Sequence, residues 1–456
     1  MRGPYRNGIE RRRQLVDAAW GVIARRGYTR ASLREIAQEV GVSPAGILRL
    51  FGSKEALLIA VLERWWTETQ LLGDRVEIGA GAEYFGSFGD LMRYHVQHPG
   101  LIELFLTMCT EATDRDHPAS TWVKERYERI VADAVENLAV LQRDAGVPVL
   151  GRAHREREVR WLFAAMDGLE LQWIADPAMD LVGHSDALFE MTLRRWLGTP
   201  GAAPDRVPPA SVAASPAAPQ AQAEGAAVPG ATVRGPYRTG VERRRQIVLA
   251  ATELFGRHGY AGASVREIAD RVGLSAAALL RYFGTKEQLL FAVLDDWDAS
   301  TGEWVDSPRG AAYVDTLERA MAHHDENPGL VELWLTMCAE ASDPEHPARD
   351  WVARRFRRIV GELDGALRQA AADGAVAAMD ADRREFEARV VFAVMDGLEL
   401  QWIADPKLDL GATFRPFLRL CRERWAGPAV TPSSPAAAAG RGPRGRGPRR
   451  NSAPTP

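Results

Sequence analysis

The stretch Ser32 to Lys54, SLREIAQEVGVSPAGILRLFGSK, decides the fold because it occurs twice, returning as Ser264 to Lys286, SVREIADRVGLSAAALLRYFGTK. The two align without a gap and agree at 14 of 23 positions. In the first copy Leu33, Ile36, Ala37 and Val40 recur at helical spacing, and Ser32 with Glu35 forms a capping box. Gly41 permits a left-handed turn, and Ser43 caps a second helix whose inner face is Ile47 and Phe51. Ser53 caps the helix that follows. A helix, a glycine turn and a second helix make a helix-turn-helix, which can lay its second helix in a DNA major groove.

The repeat extends far beyond this stretch. RGPYR at 2–6 returns at 234–238, and MDGLELQWIADP at 166–177 returns at 395–406. The chain is therefore two full copies of one unit of roughly 195 residues, a duplicated domain rather than a solenoid. The first offset is three residues longer than the second, so the difference falls between Leu71 and Tyr94, in the glycine-rich GDRVEIGAGAEYFGSFGD. Gly27 is read as the end of the first helix. Beyond the glycine-rich break, helices are expected over 87–98, 101–112, 119–144, 156–175 and 185–197. Alternating β-branched runs are missing, so the predicted class is all-α. Residues 199–233 form a Pro/Ala-rich linker and 427–456 a basic tail expected to be disordered. A flexible linker of that length spans roughly 30 Å, close to the about 34–36 Å between half-sites one DNA turn apart.

Charge is unevenly placed. Residues 1–60 carry 11 Lys/Arg against 5 Asp/Glu, residues 233–292 carry 10 against 5, and residues 436–456 carry 5 Arg and no acid. The net charge of the whole chain is −4, so the remainder is acidic. Basic faces on otherwise acidic bodies suit phosphate contact at two places. The 3 cysteines, Cys109, Cys338 and Cys421, are far apart, which argues against disulfides and fits a reducing cytoplasm. No run of about 18 apolar residues and no secretory signal is present, so no membrane association is expected.

The two stretches resemble the helix-turn-helix of the tetracycline-repressor (TetR) family of transcriptional regulators. Ile36, Ala37, Gly41, Val42, Ser43, Ile47, Phe51, Ser53, Lys54 and Leu57 carry the likeness in copy 1. Ile268, Ala269, Gly273, Leu274, Ser275, Leu279, Tyr282, Phe283, Lys286 and Leu289 carry it in copy 2. The resemblance implies, twice over, an N-terminal three-helix DNA-binding domain (8–68 and 240–300) and a larger helical domain for ligand binding and dimerisation (69–198 and 301–426). It places Arg34 and Arg266 at base edges, together with Arg49 and Arg281. Pro44, Ala45 and Gly46, and Ala276, Ala277 and Ala278, stand at the reading positions of the second helix, beside its caps Ser43 and Ser275. Lys54 and Lys286 are implied phosphate anchors. Both copies depart from the family's usual tyrosine, having Leu48 and Leu280, and copy 1 has Leu50 where copy 2 has Tyr282. Arg11–Arg13 and Arg243–Arg245 read as phosphate contacts.

The penultimate and last helices of each unit form a four-helix dimer interface in the family. Here copy 1 can pack on copy 2, giving an intramolecular pseudo-dimer, or each can pair with another chain. ELFLTMC at 103–109 and ELWLTMC at 332–338 offer Phe105, Met108, Cys109, Trp334, Met337 and Cys338 either as pocket lining for a small apolar ligand or as core. His95 and His98 stand three residues apart, but copy 2 has His324 and Asn327, so no metal site is expected, and no cofactor. The functional expectation is a regulator, most simply a repressor, bound to double-stranded operator DNA. The alternative is a ligand-sequestering or interaction protein whose DNA face has decayed. An enzyme is not expected, since neither a phosphate loop nor a nucleophile–base arrangement is evident.

Overall fold

A computed structural model describes residues 4–26, 31–74, 81–199, 204–211, 236–302 and 310–426. These residues form 18 helices and no strand. Copy 1 comprises α1 (Pro4–Arg26), α2 (Leu33–Val40), α3 (Pro44–Phe51), α4 (Lys54–Asp74), α5 (Ala82–Gln97), α6 (Pro99–Glu111), α7 (Pro118–Asp144), α8 (Arg152–Ala175) and α9 (Leu181–Trp196). Copy 2 comprises α10 (Pro236–Gly262), α11 (Val265–Arg271), α12 (Ala276–Phe283), α13 (Lys286–Gly302), α14 (Ala311–Glu326), α15 (Pro328–Glu340), α16 (Arg349–Ala372), α17 (Ala381–Ala404) and α18 (Leu410–Trp425).

Three helix starts fall clearly earlier than the sequence reading, among them that of α9, at Leu181 rather than 185. α5 begins at Ala82, earlier than expected, and runs through Gly86 and Gly89. Its inward residues Phe85, Phe88 and Met92 are buried, and that packing outweighs the weak helix preference of two glycines. α8 begins at Arg152, where Arg155 donates to the carbonyls of Val135 at 3.0 Å and Leu150 at 2.5 Å and ties the first turn down. Gly27 lies outside the described residues. Its counterpart Gly259, with φ 67° and ψ 173°, interrupts α10. The tail 427–456 also lies outside.

The centre of the molecule is α8 against α17. Residues 161–175 and 385–401 are buried on every face, as expected of helices surrounded by protein rather than of amphipathic surface helices. Their backbones touch. A Cβ on Gly168 would stand 2.0 Å from the carbonyl oxygen of Ala393, and one on Gly397 would stand 1.9 Å from that of Ala164. The contact is reciprocal in hydrogen bonds too. Gln172 donates to the carbonyl of Arg389 at 3.0 Å, and Gln401 donates to that of Arg160 at 2.9 Å. At the flanks the symmetry fails. Trp161 donates to the carbonyl of Thr413 at 3.0 Å and packs on Phe417, whereas His184 stacks on Phe386.

Part of the stretch expected to be a free linker is docked. Asp205 pairs with Arg194 at 2.5 Å and its amide donates to Glu190 at 3.1 Å, both on α9. Five residues later the chain reaches α17. The amide of Ala210 donates to Asp382 at 2.9 Å, and the amide and hydroxyl of Ser211 each bond Glu385 at 2.8 Å. Residues 204–211 therefore strap copy 1 to copy 2, because exposed backbone N–H groups there meet carboxylates on the far helix. The rest of the linker lies outside the described residues.

Candidate nucleic-acid interface and the cavities behind it

Each helix-turn-helix is built by the same local chemistry. Ser32 and Ser264 accept from the amides of Glu35 and Glu267 at 3.2 and 3.1 Å, which caps α2 and α11. Gly41 and Gly273 sit at φ 68°, where an L side chain would be strained, so the chain can turn sharply. The amide after each glycine bonds back into the finished helix: Val42 to Ala37 at 2.9 Å and Leu274 to Ala269 at 2.8 Å. Ser43 and Ser275 then cap α3 and α12 through the amides of Gly46 and Ala278 at 3.1 and 3.2 Å. Ile47 and Phe51, and Leu279 and Phe283, anchor these helices in the core.

The opposite face is open. Arg34, Ser43, Pro44, Ala45 and Arg49 are exposed in copy 1, and Gly46 is half-buried. In copy 2 Arg266, Ser275, Ala277, Arg281 and Tyr282 are exposed, while Ala276 and Ala278 are half-buried. Arg266 has an aspartate one turn on, Asp270, at 3.9 Å; copy 1 has Gln38 there. Leu48 is as exposed as Tyr282, an apolar side chain on a polar face. Lys54 and Lys286 begin α4 and α13 but are half-buried, and the Lys286 ammonium lies 4.4 Å from the centre of the Tyr260 ring. Burial lowers the Lys286 pKa.

The basic run of the first helix does something the sequence reading missed. Arg11 donates to the carbonyl of Val40 at 3.2 Å and Arg12 to that of Leu50 at 3.3 Å, with the Arg12 guanidinium over Phe51. Copy 2 repeats this: Arg243 to Val272 at 3.2 Å, Arg244 to Tyr282 at 3.1 Å and over Phe283. These arginines close the C-terminal ends of both helices of the motif, where unpaired carbonyls and the negative dipole end favour a cation. Arg13 and Arg245 remain exposed. The signal was the repetition itself, the same three arginines at the same distance from the same helix ends.

Behind each motif the body holds a cavity of about 80 Å³. Of the six residues proposed from sequence, Trp334 lines the second cavity. Phe105, Met108, Cys109, Met337 and Cys338 line neither and are fully buried among core side chains. Their positions on α6 and α15 face the middle of the body rather than the space between α5 and α8 or α14 and α17. Burial pushes both thiols far up, which leaves them unreactive.

Each cavity has a buried histidine–carboxylate pair instead. His95 Nδ1 is 2.5 Å from Glu170, and His324 Nδ1 is 2.6 Å from Glu399. One turn before each glutamate stands an aspartate, Asp167 or Asp396. Burial drives Asp167 up to about 7, partly opposed by Arg126, and drives Asp396 up to about 8, helped by Glu399. The donor to each aspartate differs. Tyr127 donates to Asp167 at 2.7 Å, whereas copy 2 has Phe356 there and Trp334, in place of Phe105, donates to Asp396 at 2.9 Å.

Comparison with known proteins agrees with this architecture. The profile of the bacterial regulatory proteins, tetR family, matches residues 15–61 and again 247–293. Both helix-turn-helix segments are thus similar to those of tetR-family regulators. Among curated relatives, an HTH-type transcriptional repressor of Mycobacterium tuberculosis is 39% identical over 95 residues, 21% of this chain and 49% of the relative. The HTH-type transcriptional repressor AcnR of Corynebacterium diphtheriae is 35% identical over 115 residues, 25% of this chain and 47% of that protein. The HTH-type transcriptional regulator PksA of Bacillus subtilis is 29% identical over 175 residues, 36% of this chain and 80% of PksA. The chain thus spans about half the length of the first two of these TetR-type relatives. Among the described residues no helix is long and apolar enough to cross a membrane.

Proposed function

We propose that this chain is a cytoplasmic, sequence-specific DNA-binding transcriptional regulator, a repressor released by a small ligand and not an enzyme. The observation that carries the reading is the doubled helix-turn-helix, with equivalent caps, turns and exposed arginines in both copies. In this reading residues 8–68 and 240–300 are the DNA-binding domains and 69–198 and 301–426 the regulatory ones. Arg34 and Arg266 read base edges, with Arg49 and Arg281 beside them; Lys54 and Lys286 hold phosphates near the helix ends. Small residues at 44–46 and 276–278 admit close approach and thymine-methyl contact but supply no hydrogen-bond code, so DNA shape carries much of the selectivity.

We infer further that one chain acts as a pseudo-dimer. The interface between α8 and α17 supports this, because its flanks are not self-matching. Trp161 meets Thr413 and Phe417, and the equivalent positions are Val390, His184 and Leu188. Pairing copy 1 with copy 1 of another chain would set two tryptophans against two histidines and leave Phe386 without its partner. Selecting binding sites from random DNA and then weighing the complex in solution tests both claims. One chain per site and an imperfect palindrome are expected; two chains per site would sink the pseudo-dimer. Alanine at Arg34 or Arg266 is expected to weaken binding by about 1–3 kcal/mol and relax selectivity at one position. Unchanged function after alanine replacement of Arg34, Lys54, Arg266 and Lys286 together would favour a ligand-sequestering protein instead.

A further inference from the structure

The cavity of copy 2 holds polar atoms that an apolar ligand would leave unmatched. His324 engages Glu399 through Nδ1, and its other ring nitrogen, Nε2, has no partner. Asp396 receives the Trp334 indole on Oδ1, and its Oδ2 has none. Glu399 Oε2 has none either. The three residues are 6%, 6% and 1% exposed, and all line the one cavity. A histidine that donates from Nδ1 to a carboxylate presents a lone pair at Nε2. The count is then three unmatched acceptors, two of them carboxylate oxygens one turn apart on the same face of α17.

The two arginines of this cavity have carboxylates of their own. Arg355 has its guanidinium carbon 4.2 Å from the ring centres of both Trp297 and Trp334, which stack on each other, and its Nε stands 3.6 Å from Asp298. Arg358 pairs with Asp298 at 2.5 Å and with Glu362 at 2.8 Å. Asp396 and Glu399 are left as the acidic excess; burial holds a proton on Asp396 up to about 8, and that proton leaves when a cation takes its place. Leu317, Ile359, Phe392 and Met395 supply the apolar wall. Among the described residues no group of three His, Cys, Asp or Glu is arranged to hold a metal ion.

We propose that the cavity of copy 2 binds a small primary amine, its ammonium on His324, Asp396 and Glu399 and its hydrocarbon part against Leu317, Phe392 and Met395. An ammonium brings three N–H donors and one positive charge, which matches three acceptors and an acidic excess. An alcohol brings one donor and a quaternary ammonium none. The copy 1 cavity suits an amine less well. Asp167 there is engaged by the Tyr127 hydroxyl, Trp66 stands where copy 2 has Asp298, and Arg126 leaves both Nε and Nη1 without a hydrogen-bond partner where the equivalent Arg355 leaves Nε. The proposal deepens the regulator reading by naming its ligand class, yet it can be tested without DNA.

The full chain is titrated by calorimetry with butylamine, cyclohexylamine and 2-phenylethylamine, and with butanol, cyclohexanol and 2-phenylethanol. At least one amine should bind at a single site with a Kd of about 1 mM or tighter, and its alcohol should bind at least roughly tenfold more weakly. The isosteric change Asp396→Asn should weaken the amine roughly tenfold, whereas Asp167→Asn should leave it within about twofold. Should Asp396→Asn fail to fold by circular dichroism, Glu399→Gln serves in its place, and the amine–alcohol comparison on the unmodified chain decides alone. No saturable amine binding, an alcohol that matches its amine, or equal effects of the two asparagine variants would overturn the proposal. Operator binding without amine binding leaves the regulator standing and removes this site. Amine binding that leaves operator affinity unchanged keeps the site and removes ligand release.

Discussion

Copy 1 and copy 2 repeat one order of nine helices and differ in how their buried charges are satisfied. Glu158 in copy 1 faces Arg195 at 2.5 Å, Trp196 at 2.9 Å and the half-exposed His154 at 3.4 Å. Glu387, its equivalent, holds both Arg383 and Arg424 and is fully buried. One copy surrounds its carboxylate with a single arginine and weaker donors, the other with two guanidinium groups. The comparison teaches that the duplicated unit preserves where a buried acceptor stands and lets the groups that satisfy it change.

The sharpest way to break the comparison is to remove those acceptors. Glu387→Gln strands two buried arginines and should cost about 3–5 kcal/mol in denaturant unfolding, while Glu158→Gln should cost roughly half of that. Equal losses would show that the second arginine adds nothing. Next come the glycines, where the copies should behave alike. Gly168→Ala and Gly397→Ala each press a methyl into a carbonyl of the other copy, and each should cost about 3 kcal/mol. A large difference between them would mean that one helix yields and the other does not.

A third contrast lies in pH. A carboxyl whose pKa is raised on folding contributes stability that is complete below the unfolded value and is lost as pH rises through the folded one. For Asp396 that loss runs up to about 8 and for Asp167 only to about 7. From the ordinary carboxyl range up to about 7 both groups should therefore take stability from the unliganded chain as pH rises, and from about 7 to about 8 Asp396 alone, so Asp396→Asn should remove more of that loss than Asp167→Asn. His184, held down to about 4 by burial, acts in the other direction and matters only as pH falls below the usual histidine range. The smallest effect is expected on α3. A Cβ on Gly46 meets nothing closer than 3.4 Å, and Ala278 already stands at that place in copy 2. Gly46→Ala should stabilise by about 0.5–1 kcal/mol, and a loss instead would mean that the two motifs are not equivalent there.

Much of the fold was legible because its signals are local. Ser32, Gly41 and Ser43 each act within a turn or two of themselves, so capping and turn chemistry announce the motif without tertiary information. The body was less legible. Counting glycines between 73 and 90 hid the start of α5, since the aromatic residues that stabilise it meet partners far away in sequence. In the sequence His98 is the conspicuous neighbour of His95, but the partner of His95 is Glu170, 75 residues on. The repeat held the missing signal, because His324 and Glu399 keep the same separation while His98 becomes Asn327. The docking of residues 204–211 had no local signal at all, since backbone amides of a Pro/Ala-rich segment look alike until a carboxylate is placed beside them.

The exchange of Tyr127 and Phe105 for Phe356 and Trp334 has a consequence for how such a pair of units drifts apart. Losing the donor first would leave a buried aspartate unmet, a defect of about 1–3 kcal/mol. Gaining the second donor first leaves every sequence on the way tolerable. A form with both donors, tyrosine and tryptophan on one carboxylate, is therefore the less costly step between the two arrangements.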